Sequence, residues 1–443
     1  MSRRIVFTKR IQLLGLLSVP SGMPLGFVFN ALQFFLVDLG VSRRSIGLLS
    51  GVSVPWTLKF LWAPLVDRYA LAWPGRRRSW VVITQLLLAL VFGALAALAW
   101  KALADRRAGL PVGDAALWVG LLALAVAFLA ATQDIAYDAY SVEYVRPEEH
   151  AAVAGTKAIY YRLGMLLAGA VAVSLSDWLG WPLVFLLTGA AFLAFIALTL
   201  ASPEPDRPAP APRSLGAAVT EPFRLFFRRE DAVPLALFLV FYKLGDNMAG
   251  TMVNPFLKDL CFGNAEAGAA VKTVGTLATI GGTVLATGLT SRLGLGRALW
   301  IFGVAQAGAN LFYAAAAVSR AVPLEVTACA GLPALSAATR GWTYVGIAAE
   351  YGAQGMASTA QAALLLRVCD RRHSATQFAL LTSLFGLGRW AAGLPSGYLV
   401  EALGYPLFFV TCATAVALPG FLFLGRVAPL GQRDVASAPA DVS

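Results

Sequence analysis

PLVFLLTGAAFLAFIALTLA, Pro182 to Ala201, runs for twenty residues without one charged side chain. A helix rises about 1.5 Å per residue, so a run of this length spans the roughly 30 Å hydrocarbon core of a bilayer. Outward in both directions, comparable apolar runs recur about twelve times, near 12–36, 46–66, 80–100, 115–140, 152–176, 182–201, 233–257, 266–290, 297–318, 343–368, 375–400 and 404–425. Composition agrees, with 58% of 443 residues hydrophobic and 13% charged, where soluble domains carry about 25% charged residues. The expected fold is an all-α membrane protein of about twelve transmembrane helices.

The run opens on a segment that occurs twice. DWLGWPLVF (Asp177 to Phe185) matches EALGYPLFF (Glu401 to Phe409) at an offset of 224, and FLVDLGVSRRSIG (Phe35 to Gly47) matches FLKDLCFGNAEAG (Phe256 to Gly268) at 221. Two matches at nearly one spacing predict two pseudo-symmetric six-helix halves, the major facilitator plan, with a substrate site between them near the midplane. The halves are expected at 1–201 and 233–443. A cytoplasmic linker at 202–232 starts Pro-rich and ends in EPFRLFFRRE, a mixture of Arg and Phe that suits an interfacial helix. The outer stretch 319–342 is unusually apolar for a loop.

The net charge of +11 does not point to nucleic acid, because the basic residues fall mostly in short loops between apolar runs. With both termini cytoplasmic, inner tails, loops and adjoining helix ends hold about 21 of the 35 basic residues and outer loops about 8. The basic start (Arg3, Arg4, Lys9, Arg10) leads into an apolar run that passes Pro24 with no AxA-type site, so no cleavable signal peptide is expected. Four scattered cysteines and two loop histidines, His150 and His373, give no metal or redox spacing. No HExxH or GxSxG occurs, which argues against an intramembrane enzyme. No cofactor and no metal is expected.

Charges inside the spans carry the functional reading, since each costs about 2.5–3.5 kcal/mol at a helix centre. The basic set is Lys59, Lys157, Arg162, Lys243, Lys272 and Arg389, and the acidic set is Asp134, Asp138, Asp246 and Glu350. Asp134 and Asp138, four apart in ATQDIAYDAY, share one helix face. Two carboxylates so placed repel when both are ionised, so one can take up a proton, and Asp138 is the first choice. The rival account has them lock Lys157 or Arg162 of the fifth helix in an ion pair. Lys243 and Asp246, three apart in FYKLGD, either neutralise each other or meet substrate. Arg389 stands mid-helix with no acid close in sequence, so its forked guanidinium suits an anionic substrate group. LKFLWAPLVDRY (Leu58 to Tyr69) followed by GRRR (Gly75 to Arg78) is a loose version of the facilitator loop motif. It nominates Asp67, Arg68 and Arg76 for an inner gate, to which the rival ion-pair account of the fourth-helix acids adds Lys157. GxxxG spacings at Gly47/Gly51 and Gly393/Gly397 suggest close packing, and Pro20, Pro24, Pro55 and Pro64 suggest kinks.

SGMPLGF, TLKFLWAPLVDRY, ATQDIAYDAYSVE, YYRLGM, FYKLGD and RRHSATQFALLTSLFGLGRW together resemble the AmpG-type muropeptide permeases, in the same facilitator branch as the acetyl-CoA transporters. The resemblance runs from about Leu14 to Phe423. It implies a monomeric inner-membrane permease that imports N-acetylglucosaminyl-anhydro-N-acetylmuramic acid, with or without stem peptide, from periplasm to cytoplasm with protons. It implies substrate contacts at Arg389, Lys243, Arg162, Glu350, Gln377 and Lys59, and proton coupling through Asp138, Asp134 and Asp246. Tyr351 stands where family members usually place Asn after the acid. A permease for another anionic solute, such as a coenzyme A thioester, a siderophore or a drug, is the alternative.

Overall fold

The computed structural model describes residues 9–39, 52–69, 73–109, 113–146, 149–203, 214–262, 266, 270–320, 335–370 and 373–431, and its regular structure there is helical throughout. The first half holds α1 (Lys9–Leu36), α2 (Val54–Leu58 and Ala63–Arg68, broken by a 3-10 turn at Lys59–Leu61), α3 (Arg76–Arg107), α4 (Gly113–Tyr144), α5 (His150–Leu179) and α6 (Trp181–Ala201). A linker helix, α7 (Leu215–Phe227), follows. The second half holds α8 (Ala232–Phe241 and Leu244–Asp259), α9 (from a π turn at Ala270–Val274 through Gly275–Leu293), α10 (Leu295–Val318) and α11 (Ala337–Val368). It ends in α12 (374–403) and α13 (405–427), which meet at Gly404.

Eight described stretches are long and apolar enough to cross a membrane. The arms that fall short of that criterion are α2, α9, α11 and the first part of α12. These are helices that pack between the halves, α9 and α11 against α5, and α12 against α2 and α4. A helix facing a polar interior does not need the all-round apolar surface that lipid demands. Helix α3 outruns its apolar segment because the flanking Ala, Arg and Lys favour helix.

The sequence repeat reappears as repeated contacts. In the first half Phe35 meets Phe185 edge-on with ring centroids 5.1 Å apart, and Trp181 Nε1 donates to Asp38 Oδ2 at 2.6 Å. In the second half Phe256 meets Phe409 edge-on at 5.1 Å, and the Tyr405 hydroxyl donates to Asp259 Oδ2 at 2.7 Å. These are the residues paired by the offsets of 221 and 224. The glycine in both segments, Gly180 and Gly404, starts its helix at φ 75° and 69°. Only glycine enters that region without Cβ strain, so the hairpin turn dictates the residue.

Close helix approach is made elsewhere than the sequence spacing suggests. A Cβ on Gly22 would strike the Tyr161 carbonyl, and one on Gly164 would strike the Val19 carbonyl, so α1 and α5 lie backbone against backbone. Gly393 and Gly397 face open space. Their GxxxG spacing therefore marks no seam among the described residues, and Gly47 and Gly51 lie outside them. Of the prolines, Pro20 and Pro24 sit inside α1 just before a π turn at Phe27–Ala31, while Pro55 and Pro64 begin the two arms of α2.

The apolar core divides along the molecule. At the end carrying Arg76–Arg78, the basic end, one cluster joins both halves, from Leu14 and Val66 through Tyr140 to Leu365 and Phe378. Toward the opposite end it gives way to two separate cores, one around Phe27, Phe92 and Phe185 and the other around Phe256, Phe409 and Tyr313. Among the described residues the halves are thus welded at the basic end and part beyond it.

Candidate functional site

At the basic end the weld is polar as well as apolar. Arg77 is 1% exposed and donates to Asp67 Oδ1 (2.7 Å), Glu143 Oε1 (2.8 Å), the Val66 carbonyl (2.9 Å) and Ser374 Oγ (2.9 Å). Asp67 also accepts the N–H and hydroxyl of Thr376 at 2.8 and 2.6 Å and the N–H of Ala375 at 3.3 Å. Those are orphan donors of the first turn of α12, where a helix dipole favours a carboxylate. Elements α2, α3 and α4 of the first half thereby hold the start of α12 in the second. Arg76 donates to the Asp67 carbonyl at 2.6 Å, its guanidinium 3.8 Å from the carboxylate, while Arg68 sits over the Tyr69 ring at 5.5 Å, apart from this latch. The sequence reading missed Arg77, Glu143, Ser374 and Thr376. Residues 76–78 open a helix about 100° apart, so one of three arginines must point inward, and nothing in GRRR says which.

Between latch and parted end lies a cavity of about 620 Å³ walled by both halves. From the first half come Asp134, Asp138, Lys157 and Arg162, and from the second Gln354, Ser358 and Arg389. Asp138 is held twice, by Lys157 Nζ at 3.0 Å and Lys59 Nζ at 3.6 Å, and Lys157 also donates to Ser141 Oγ at 2.9 Å. Asp134 lies beside Ser21, and among the described residues no Lys or Arg stands within ion-pair distance of it. Arg162 and Arg389 make no ion pair among the described residues, although Arg389 lies over the Phe385 ring at 5.7 Å. The cavity's acids are thus partly neutralised and its two arginines are not.

The offset exposes an asymmetry. Asp134 corresponds to Ser358, and Ser21 falls opposite Lys243 at nearly the same spacing. Where the first half puts Ser21 beside Asp134, the second has Lys243 Nζ donating to Ser358 Oγ at 2.8 Å. At this place in an otherwise repeated frame the first half carries an acid and the second a hydroxyl.

Several sequence candidates stand behind the wall or away from it. Lys243 sits at the break in α8 with Asp246 at 4.0 Å, so these two neutralise each other. Glu350 is buried and accepts the Tyr313 hydroxyl at 2.5 Å, outside the cavity wall. Lys59 is turned into its ion pair with Asp138. Gln377 is at the latch, where its Oε1 accepts the Asp370 N–H at 2.8 Å and completes the turn between α11 and α12. Lys157 belongs to the cavity and not to the latch, because its ammonium reaches Asp138 and lies 4.2 Å over the Tyr137 ring. The side chain of Lys272 lies outside the described residues.

Residues 14–375 match the Major Facilitator Superfamily. The anhydromuropeptide permease of Escherichia coli (strain K12) is 37% identical over 425 residues, 95% of this chain and 80% of that protein. Putative transporter AmpG 4 of Rickettsia felis (strain ATCC VR-1525 / URRWXCal2) is 29% identical, covering 92% of this chain and 94% of that one. Among solved structures, a bacterial homologue of the iron transporter ferroportin in its outward-facing state aligns with a TM-score of 0.68 at 17% identity, over 96% of this chain and 99% of that one. The proton:xylose symporter XylE bound to 6-bromo-6-deoxy-D-glucose aligns at 0.64 and 13% identity, over 94% of each chain. At such identities the solved structures bear on the fold alone.

Proposed function

The chain belongs to the Major Facilitator Superfamily and, within it, to the anhydromuropeptide permeases, and we propose that it imports anhydromuropeptides into the cytoplasm in symport with protons. Its site is the cavity between the halves. The observation that carries this reading is the pair Arg162 and Arg389, one from each half, lining that cavity with no carboxylate of the described chain to pair them. A lactyl or peptide carboxylate suits such guanidinium groups, which bind oxyanions through two parallel N–H bonds. Asp134 is the proton carrier, because it can gain and lose a proton without breaking an ion pair. Asp138 organises the wall through Lys59 and Lys157. This order reverses the preference drawn from sequence.

The protein lies in the inner membrane as a monomer with both termini cytoplasmic, divided at 1–201, 202–232 and 233–443. The basic end is then the cytoplasmic end, and the welded state described above is closed to the cytoplasm. Opening it means breaking the latch around Arg77 and closing the parted end over bound substrate. Equilibrium binding tests the anion reading. The purified protein should bind an anhydromuropeptide and should fail to bind the same ligand with its carboxylates amidated. Equal affinity for both would remove the arginines from the account.

A further inference from the structure

The linker helix α7 has three sectors. Ala218, Pro222 and Phe226, four apart, are buried against α2, α8 and α12, and Glu221 Oε2 stands 3.3 Å from His373 Nε2 just before α12. Beside that stripe runs a second apolar one, Leu215, Val219 and Phe227, and this one is exposed. On its far side come the exposed Thr220, Arg224 and Arg228. One apolar stripe suffices to dock a helix on its own protein, so the second needs another apolar partner.

What covers it follows from where the helix is tied. The Arg229 N–H donates to the Phe226 carbonyl and the Ala232 N–H to the Arg229 carbonyl, both at 3.1 Å, so α7 turns directly into α8. Phe227, 62% exposed at the end of α7, and Val233, 59% exposed at the start of a membrane-crossing helix, are the two exposed apolar residues on either side of that short turn. The exposed stripe thus ends where a membrane-crossing helix begins, so the turn ties it to the edge of the bilayer. A stripe of Leu, Val and Phe flanked by arginines on the solvent side matches an acyl layer beneath anionic headgroups.

We propose that α7 is a docking surface for anionic phospholipid, with Leu215, Val219 and Phe227 seated among the acyl chains and Arg224 and Arg228 on the headgroup phosphates. Two arginines at the interface imply a preference for anionic over zwitterionic lipid on the order of tenfold.

The test uses the full chain in nanodiscs. A bimane fluorophore is attached to Val219→Cys, where the buried Cys369 and Cys412 do not compete for label, and the label is read by mass spectrometry. Brominated phosphatidylglycerol and brominated phosphatidylcholine are then compared as quenchers, each at the same low fraction in phosphatidylcholine. Strong quenching by both, with several-fold more by the glycerol lipid, is expected, and Arg224→Gln with Arg228→Gln should erase the difference while quenching persists. A fluorophore quenched by aqueous iodide and by neither lipid would overturn the proposal and point to a soluble partner. Equal quenching by the two lipids in the parent protein would overturn its anionic specificity.

Discussion

Asp134 and Asp138 share a helix face, yet one meets two ammonium groups and the other a hydroxyl. Asp138→Asn strands Lys59 and Lys157 without their carboxylate, an uncompensated charge that costs about 3 kcal/mol or more. Transport and exchange should both fail in it, and adding Lys157→Gln should restore part of the exchange. In Asp134→Asn, counterflow exchange should persist and lose its pH dependence, while uphill accumulation disappears. Retained uphill accumulation would return the coupling role to Asp138 or Asp246. For Arg389, Lys keeps the charge and loses the fork, and Gln loses both. We expect a modest loss of affinity in Arg389→Lys and about 2–3 kcal/mol, or roughly 30- to 150-fold, in Arg389→Gln, measured by calorimetry. At this scale the sequence was a good guide to which residues are costly and a poor one to their partners. Spacing along α4 places both acids on one face, but Lys59 comes from a break in α2 that no periodicity announces. Arg389 was legible because a lone arginine in an apolar helix has few explanations, whereas Glu350 looked equally exceptional and is answered by Tyr313 from a neighbouring helix.

Among elements, the latch couples Asp67, Arg77 and Glu143 to the first turn of α12, and Cys369 reports on it. The Cys369 Sγ lies 3.5 Å from the Ser374 carbonyl, and burial pushes its thiol well above the ordinary range. Little thiolate is then present near neutral pH while the latch is closed. Opening moves the thiol back toward its ordinary value, so thiolate rises and alkylation accelerates at fixed pH. Arg77→Gln should speed alkylation of the Cys369 peptide severalfold, and a rate unchanged from the parent would show that the latch holds nothing shut. The α1/α5 seam makes a second prediction. Gly164→Val should lower the unfolding temperature, overpacking costing about 1–3 kcal/mol, while Gly393→Ala should stay within about 0.5 kcal/mol of the parent because no described atom lies within 4 Å of a Cβ there. Of the two glycine pairs that the sequence spacing named, Gly393 and Gly397 have no described backbone against them. A GxxxG pattern says that a face is smooth, and only the packing says whether another backbone lies on it.

For the whole molecule, twelve apolar runs and two displaced motifs were enough to anticipate the helical fold and its repeat, because bilayer thickness and backbone satisfaction leave few alternatives. The conformational state was not legible. It depends on which end of the inter-half surface is continuous, and that is visible only in the apolar core that spans both halves at the basic end and splits toward the other. Orientation is open to a direct check. Single cysteines near residue 76 should resist impermeant thiol reagents in intact cells, and ones near residues 107 and 320 should react; the reverse pattern would invert the molecule in the membrane. The central claim is that this chain concentrates an anionic muropeptide at the expense of a proton gradient. Purified protein in proteoliposomes, given labelled anhydromuropeptide with the lumen as the cytoplasmic side and an inward proton gradient, should accumulate it above the external concentration. Collapsing the gradient with a protonophore should reduce uptake to simple equilibration. Accumulation that ignores the protonophore, or no uptake of the muropeptide under either condition, would contradict the account.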